Sequence, residues 1–322
     1  MKARLATILA ATLLISGCGE GPDGTAAAGT PAGFPFTVTN CGADVTFDEA
    51  PERIVMLKSS AVPYLHDLGV MDRVTARAGA YPEEYYDPAT LAELAKVPLL
   101  TDRMDTSGHL QISTEVVIAQ QPDLVLGEVD NLSRDTLDAV GIPLLEEPAM
   151  CPDNTVVPTF DDIYRQLETY GRVFGRPAEA QTAITALKER MAKIQKVENR
   201  TAAVLYPTVG GGVTYAYGRT SMAHPQVEAA GFTNVFGDAE ERVFEVTLEE
   251  ILGRNPDVII LLYSDGDPAA VEKALTGLPG SEKLTAVAKG NVMTQLFNFT
   301  EPPSPLSVDG LERIVERFRV GA

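Results

Sequence analysis

The sequence predicts an α/β protein of two lobes, each organised around a parallel sheet. Three observations carry that expectation. One pattern occurs twice, as ISTEVVIAQQPDLVLG over 112–127 and VTLEEILGRNPDVIIL over 246–261. Aligned without a gap, the copies match Ser113 to Thr247, Glu115 to Glu249, Pro122 to Pro256 and Asp123 to Asp257. After each Pro-Asp pair comes an unbroken apolar run, 124–126 and 258–260, which reads as a strand buried on both faces, the habit of a parallel sheet. Elsewhere in both halves, strand and helix patterns alternate with short links.

Each copy has the same local logic. Ser113 and Thr247 are helix N-cap residues, and Thr247 with Glu250 makes a capping box. The prolines push Gln121 and Asn255 out of the helical region and so end each helix before its strand.

From the start of the chain, 1–17 read as an export leader. Lys2 and Arg4 give a positive head, and the mostly apolar run that follows is too short to span a membrane. Ile15-Ser16-Gly17-Cys18 resembles the lipobox of bacterial lipoproteins, which makes Cys18 the expected lipidation site. Residues 18–33 are small, Gly- and Pro-rich, and read as a flexible tether of roughly 20 Å. The body is then lipid-anchored on the extracytoplasmic face of the cell membrane.

The first lobe is expected over 34–173. A hairpin should turn at Asn40-Cys41-Gly42, with strands at 53–57, 74–78, 124–126 and 142–145 and helices at 59–68, 91–94 and 137–140. Residues 160–174 are helical, and 178–197 form a longer helix opened by Pro177 and free of internal Gly or Pro. At about 20 residues it would be about 30 Å long, and we place it as the link between the lobes at 174–198. The second lobe, 199–322, should hold strands at 202–206, 258–261 and 291–296. Its helices are expected at 222–230, 269–275, 281–288 and 311–318, with a loop at 210–212, a short extended piece at 213–217 and a loop at 297–307.

The chain carries 45 acidic against 26 basic residues, a net charge of −19, which becomes −21 once Lys2 and Arg4 leave with the leader. So acidic a surface argues against nucleic acid and against anionic headgroups as partners. Of the three cysteines, Cys18 is consumed by lipidation, and outside the cytoplasm Cys41 and Cys151 are expected to form a disulfide that staples the first lobe.

The segments RIVMLKSSAVPYLHDLG, ISTEVVIAQQPDLVLG, AVGIPLL, FDDIYRQLETYGRVFGRPAEA, AAGFTNVFG and VTLEEILGRNPDVIIL, in this order and spacing, resemble the iron-siderophore and vitamin B12 class of bacterial substrate-binding lipoproteins. These are the extracytoplasmic receptors of ABC importers, and the resemblance runs from about residue 51 to the C-terminus. It implies two Rossmann-like lobes joined by one long helix, a ligand in the cleft between them, and little hinge motion. It also implies a surface glutamate on each lobe that pairs with a permease dimer. The matching positions are Glu115 and Glu249, although helix-start chemistry alone also explains a carboxylate there.

Ligands of open α/β sheets bind beyond the carboxyl ends of the strands. That rule selects Lys58, Ser59, Tyr64, Tyr81, Tyr85, Tyr86, Glu128 and Asn131 from the first lobe, and Tyr215, Tyr217, Arg219, Tyr263, Phe297 and Phe299 from the second. Tyr81, Tyr85, Tyr86 and Arg219 stand foremost. Flat aromatic area with polar tips and two cations suits a bulky ferric siderophore. Cobalamin or haem remains an alternative cargo, and a secreted lipoprotein hydrolase is the alternative of another class.

No catalytic residue, cofactor or metal site is expected. The sequence has no G-x-S-x-G, HExxH, CxxC or P-loop, and its three histidines, His66, His109 and His224, are widely spaced. A monomer is expected.

Overall fold

The computed structural model describes residues 33–105, 109–152, 154–197 and 200–319. The leader, Cys18 and most of the tether lie outside the described residues. Among those described, no helix is long and apolar enough to cross a membrane.

The chain opens with an antiparallel hairpin, β1 (Phe36–Asn40) and β2 (Ala43–Phe47). Cys41 and Gly42 at its turn both have positive φ, as a tight two-residue turn between twisted strands requires. Cys41 is bonded to Cys151, so the hairpin is held to the loop that leaves the first sheet.

That sheet is fully parallel, in the order β4-β3-β5-β6, from β3 (Ile54–Met56), β4 (Val74–Arg77), β5 (Leu124–Leu126) and β6 (Leu144–Leu145). Helices α1 (Ala61–Asp67), α2 (Pro88–Leu94), α3 (Thr114–Ile118) and α4 (Arg134–Asp138) connect the strands. Then come α5 (Phe160–Val173) and α6 (Pro177–Ala192), packed on each other. Helix α6 stops five residues short of the expected 197. Ile194 and Val197 pack on the second lobe's core, and the Val197 amide donates to the Ala230 carbonyl, so the chain is drawn into that lobe before the next strand.

The second lobe holds β7 (Arg200–Pro207), β8 (Thr214–Tyr217), α7 (Ala223–Ala230), β9 (Phe232–Asn234), β10 (Val243–Val246), α8 (Leu248–Arg254), β11 (Val258–Tyr263), α9 (Pro268–Thr276), α10 (Thr285–Ala288) and β12 (Val292–Leu296). Helix α11 (Pro305–Phe318) closes the fold. The second sheet is mixed, which corrects the expectation of two parallel sheets. Strands β7, β11, β12 and β9 are parallel, but β8 runs antiparallel to β7 and β10 antiparallel to β8. Strands β9 and β10 were not legible, being short and not continuously apolar. Helix α11 also begins six residues earlier than expected, because Ser304 and Ser307 cap it just before and after Pro305.

The repeated pattern is α3–β5 in one lobe and α8–β11 in the other. Gln121 and Asn255 both adopt positive φ before their prolines. The paired aspartates perform one structural task. Asp123 accepts from the amides of Glu52 and Arg53 at the entry to β3, and Asp257 accepts from the amide and hydroxyl of Thr201 at the entry to β7. Each sets the start of the neighbouring strand against the repeat's own strand.

The lobes share packing. A single apolar cluster holds first-lobe Met56, Tyr64 and Leu126 together with second-lobe Leu296, Phe299 and Leu306. The Tyr64 hydroxyl donates to the Pro303 carbonyl at 3.0 Å, and the Arg190 side chain of α6 reaches Asp309 and Glu312 of α11. In α11, Gly310 allows the helix to pass the Phe299 carbonyl, which a Cβ would meet at 1.9 Å.

Candidate binding cleft

Two adjoining cavities, of about 540 and about 560 Å³, open between the carboxyl ends of the two sheets. Either alone falls in the size range of small-molecule sites, and both are lined by Ala80, Met104 and Ser264.

The floor of the first cavity comes from the residues following β3, β5 and β6. Lys58 follows β3 and reaches Glu146 after β6, with Nζ 2.5 Å from Oε2. The Glu146 carboxylate, almost fully buried, also accepts from the amides of Glu128 and Glu147, at 2.8 and 2.6 Å. Its backbone is fixed to the hairpin through Asn40, whose Oδ1 accepts from the Glu146 amide and whose Nδ2 donates to the Glu146 carbonyl, both at 2.8 Å. Gly127 makes room for the lysine stem: a Cβ there would meet Lys58 Cγ at 2.8 Å. Lys58 is therefore a positioned ammonium with its charge already countered. Glu147 beside it is enclosed, and burial, reinforced by Glu146, pushes its carboxyl up to about 8. The Lys58–Glu146 pair is balanced within itself, and Glu128 adds a further acidic side chain to this lining.

His109 and Asp130 also line this cavity, with Nδ1 2.9 Å from a carboxylate oxygen of Asp130, while Asp105, which lines the second cavity, lies 3.8 Å from the same nitrogen. The ligand atoms of these three exposed residues lie within 4.8 Å of one another, so this rim is the one cluster among the described residues with the reach to hold a metal ion.

The second lobe contributes Ser264 after β11 and Phe297 and Asn298 after β12. Asn298 joins the lobes. Its amide donates to the Tyr85 hydroxyl at 2.9 Å, and its side chain donates to the Ser59 hydroxyl at 3.3 Å. The second cavity takes Tyr206, Tyr215, Tyr263 and Asp265 from this lobe.

Of the sequence-selected residues, Lys58, Ser59, Tyr85, Glu128 and Phe297 line the first cavity and Tyr215 and Tyr263 the second. Seven are not brought to the cleft. Asn131 donates its side-chain amide to the Ile112 carbonyl. Tyr64 is buried against Tyr170, with ring centroids 5.5 Å apart. Tyr81 turns its hydroxyl inward to the carbonyls of Met56 and Ala78. Tyr86 and Phe299 line a separate groove between α1, α6 and α11, which shares Tyr85 with the first cavity. Tyr217 and Arg219 are misplaced for one topological reason. Because β8 is antiparallel to β7, its first residues face the cleft and its last face away. Tyr215 therefore lines the cavity, Tyr217 is buried further down the strand, and Arg219 pairs with Glu240 on the outside at 2.9 Å.

Sequence reasoning missed Glu146, Asp130, His109, Tyr206 and Asn298. Glu146, Tyr206 and Asn298 sit at or just past a strand's carboxyl end, so the same rule applied to the observed strand ends finds them. His109 and Asp130 are set by loop packing and left no local signal.

Glu115 and Glu249 are both exposed, each the second residue of its helix, α3 and α8. Glu115's own backbone N–H and the Ser113 hydroxyl hold its carboxyl below the usual range. Since each helix runs antiparallel to the strand that follows it, both N-termini lie at the cleft end of the molecule.

The chain matches the profile of a family described as periplasmic binding protein over residues 54–295. It is similar to the crystal structure of an ABC-type Fe3+-hydroxamate transport system from Saccharomonospora viridis, with 58% sequence identity and a TM-score of 0.85, covering 90% of this chain and 100% of that one. It is also similar to the cobalamin-binding protein of Halobacterium salinarum, 27% identical over 299 residues, or 88% of this chain and 74% of that protein. A third relative is YvrC of Bacillus subtilis, an uncharacterized ABC transporter substrate-binding lipoprotein, 24% identical over 326 residues, or 97% of this chain and 95% of that protein.

Proposed function

Since the chain belongs to the periplasmic binding protein family, we propose that its cargo is a ferric hydroxamate siderophore without net negative charge, delivered to an ABC permease from a lipid anchor at Cys18. The coarser statement needs no proposal: it is an extracytoplasmic binding protein of the ABC-importer type and not an enzyme.

The observation that carries the cargo is the 58% identity, over nine-tenths of this chain, to a protein described as an Fe3+-hydroxamate transport system. The charge of the cleft supports it. Among the described residues, the only basic side chains lining the two cavities are Lys58, already countered by Glu146, and His109. Facing them are Glu128, Asp130, Asp105 and Asp265. A ferric tris-catecholate, with three negative charges, or the two propionates of haem would meet an excess of carboxylates at close range. A ferric tris-hydroxamate has a neutral iron centre and meets no such penalty.

A second reading is cobalamin, favoured by the Halobacterium relative. It is a much larger molecule and would need both cavities together.

A thermal-shift panel on the mature protein separates these. A ligand at a hundredfold its Kd stabilises the folded state by about 2.7 kcal/mol. A ferric hydroxamate should raise Tm by several degrees, while a ferric catecholate, haemin and cobalamin should not. A shift with cobalamin alone moves the assignment to the second reading.

A further inference from the structure

We propose that a separate pocket behind the cleft floor is a binding site for a small alkylammonium ion, held by Glu147. The site does not depend on which cargo the cleft carries.

Successive residues divide the two spaces. Glu146 and Pro302 line the first cavity, whereas Glu147 and Pro303 line a pocket of about 320 Å³ beside the start of α5. That volume is at the small end of ligand sites. The walls are largely apolar, from Pro148, Ala149, Val156, Pro158 and Pro303. Val156 is 67% exposed, so part of this apolar lining is left at the surface.

Glu147 itself is only 4% exposed. Its backbone is fixed, the amide donating to Glu146 Oε1 at 2.6 Å and the carbonyl accepting from the Met150 amide at 2.8 Å. Among the described residues, no hydrogen bond or ion pair engages its carboxyl. The groups that face it are Glu146 and Lys58 from the cleft side, Tyr64 from α1, and Asp162, Arg165 and Tyr170 from α5. The charged ones among these are matched to each other, Lys58 to Glu146 and Arg165 to Asp162, and the Tyr64 hydroxyl is spent on the Pro303 carbonyl. A buried polar group left without a partner is costly. Here burial first and Glu146 second keep the acid protonated, its carboxyl pushed up to about 8.

A cation placed against Glu147 reverses that balance. The ammonium favours the carboxylate, the carboxyl proton passes to solvent, and the bound state is an ion pair in a site of low polarity. The alkyl tail covers the proline and valine walls. An anionic ligand would instead meet a second negative charge at Glu146, and a neutral alcohol would release no proton.

Isothermal titration of the mature protein with n-butylammonium chloride, beside 1-butanol, tests this. An alkylammonium keeps its charge at neutral pH. It should bind one-to-one, and titrations at pH 6.5 in two buffers of different ionisation heat should show about one proton released per ion bound. The apparent affinity should rise about tenfold from pH 6 to 7 and level off above about 8, where Glu147 is ionised beforehand. Glu147→Gln should weaken the ammonium by about tenfold or more. Ala149→Leu, which fills the pocket and leaves Glu147 in place, should do the same. Equal affinity for butanol and butylammonium overturns the ammonium assignment. Binding that survives both substitutions, or no binding by the wild-type protein, overturns the site and leaves the reading of the cleft untouched.

Discussion

Glu147 is a buried acid beside the Lys58–Glu146 pair of the cleft. It is buried next to Glu146 and Lys58, and its carboxyl is raised from 4.5 to about 8 by burial first and by Glu146 second. A raised acid favours the folded state in its protonated form, so the stability it contributes is complete below about pH 4.5 and is lost as pH rises to about 8. Tm measured from pH 5 to 8 should fall in the wild-type protein, and Glu147→Gln should flatten that fall. Parallel slopes for the two proteins would contradict the account. None of this was legible in the sequence. The expected strand ends at residue 145, just before Glu146 and Glu147, and only the fold shows that the hairpin and α5 close over them. Lys58 was legible, because it directly follows an apolar run whose carboxyl end must face the cleft.

At the scale of elements, the repeated helix–Pro-Asp–strand unit explains both what was readable and what was not. Its cap, its proline and its apolar run are local signals, so the sequence places α3, β5, α8 and β11 nearly to the residue. The direction of β8 is not local. It is decided by pairing with β7 and β10, and it keeps Tyr215 at the cleft while carrying Tyr217 and Arg219 away from it. The same unit sets Glu115 and Glu249 at matching positions, exposed and at the cleft end of each lobe. We propose that they dock the permease. Glu115→Arg with Glu249→Arg should then cut ligand uptake in cells at least tenfold while leaving the Kd for ligand within about twofold, since neither lines a cavity. Uptake that persists in the double variant would assign both to helix capping alone.

At the scale of the whole molecule, the lobes are held by more than the chain that links them. Residues 297–308 leave the second sheet, pack into the first lobe's apolar cluster and return through α11, which lies against α1, α6 and α7. Tyr85, Ser59 and Asn298 bond across the base of the cleft. We propose that this geometry limits closure to small adjustments and keeps the tyrosines of the second cavity close to bound cargo. The chain has ten tyrosines and no tryptophan, so its fluorescence reports those rings. The most direct measurement is therefore a tyrosine-quenching titration of the mature protein with a ferric tris-hydroxamate, beside a ferric tris-catecholate at equal iron. The account predicts saturable one-to-one quenching by the hydroxamate, with a Kd of about 1 μM or below, equivalent to about −8 kcal/mol, and no saturation with the catecholate. Saturation by the catecholate with none by the hydroxamate would contradict it, because the acidic cleft has only Lys58 and His109, both already engaged by carboxylates, to meet three negative charges.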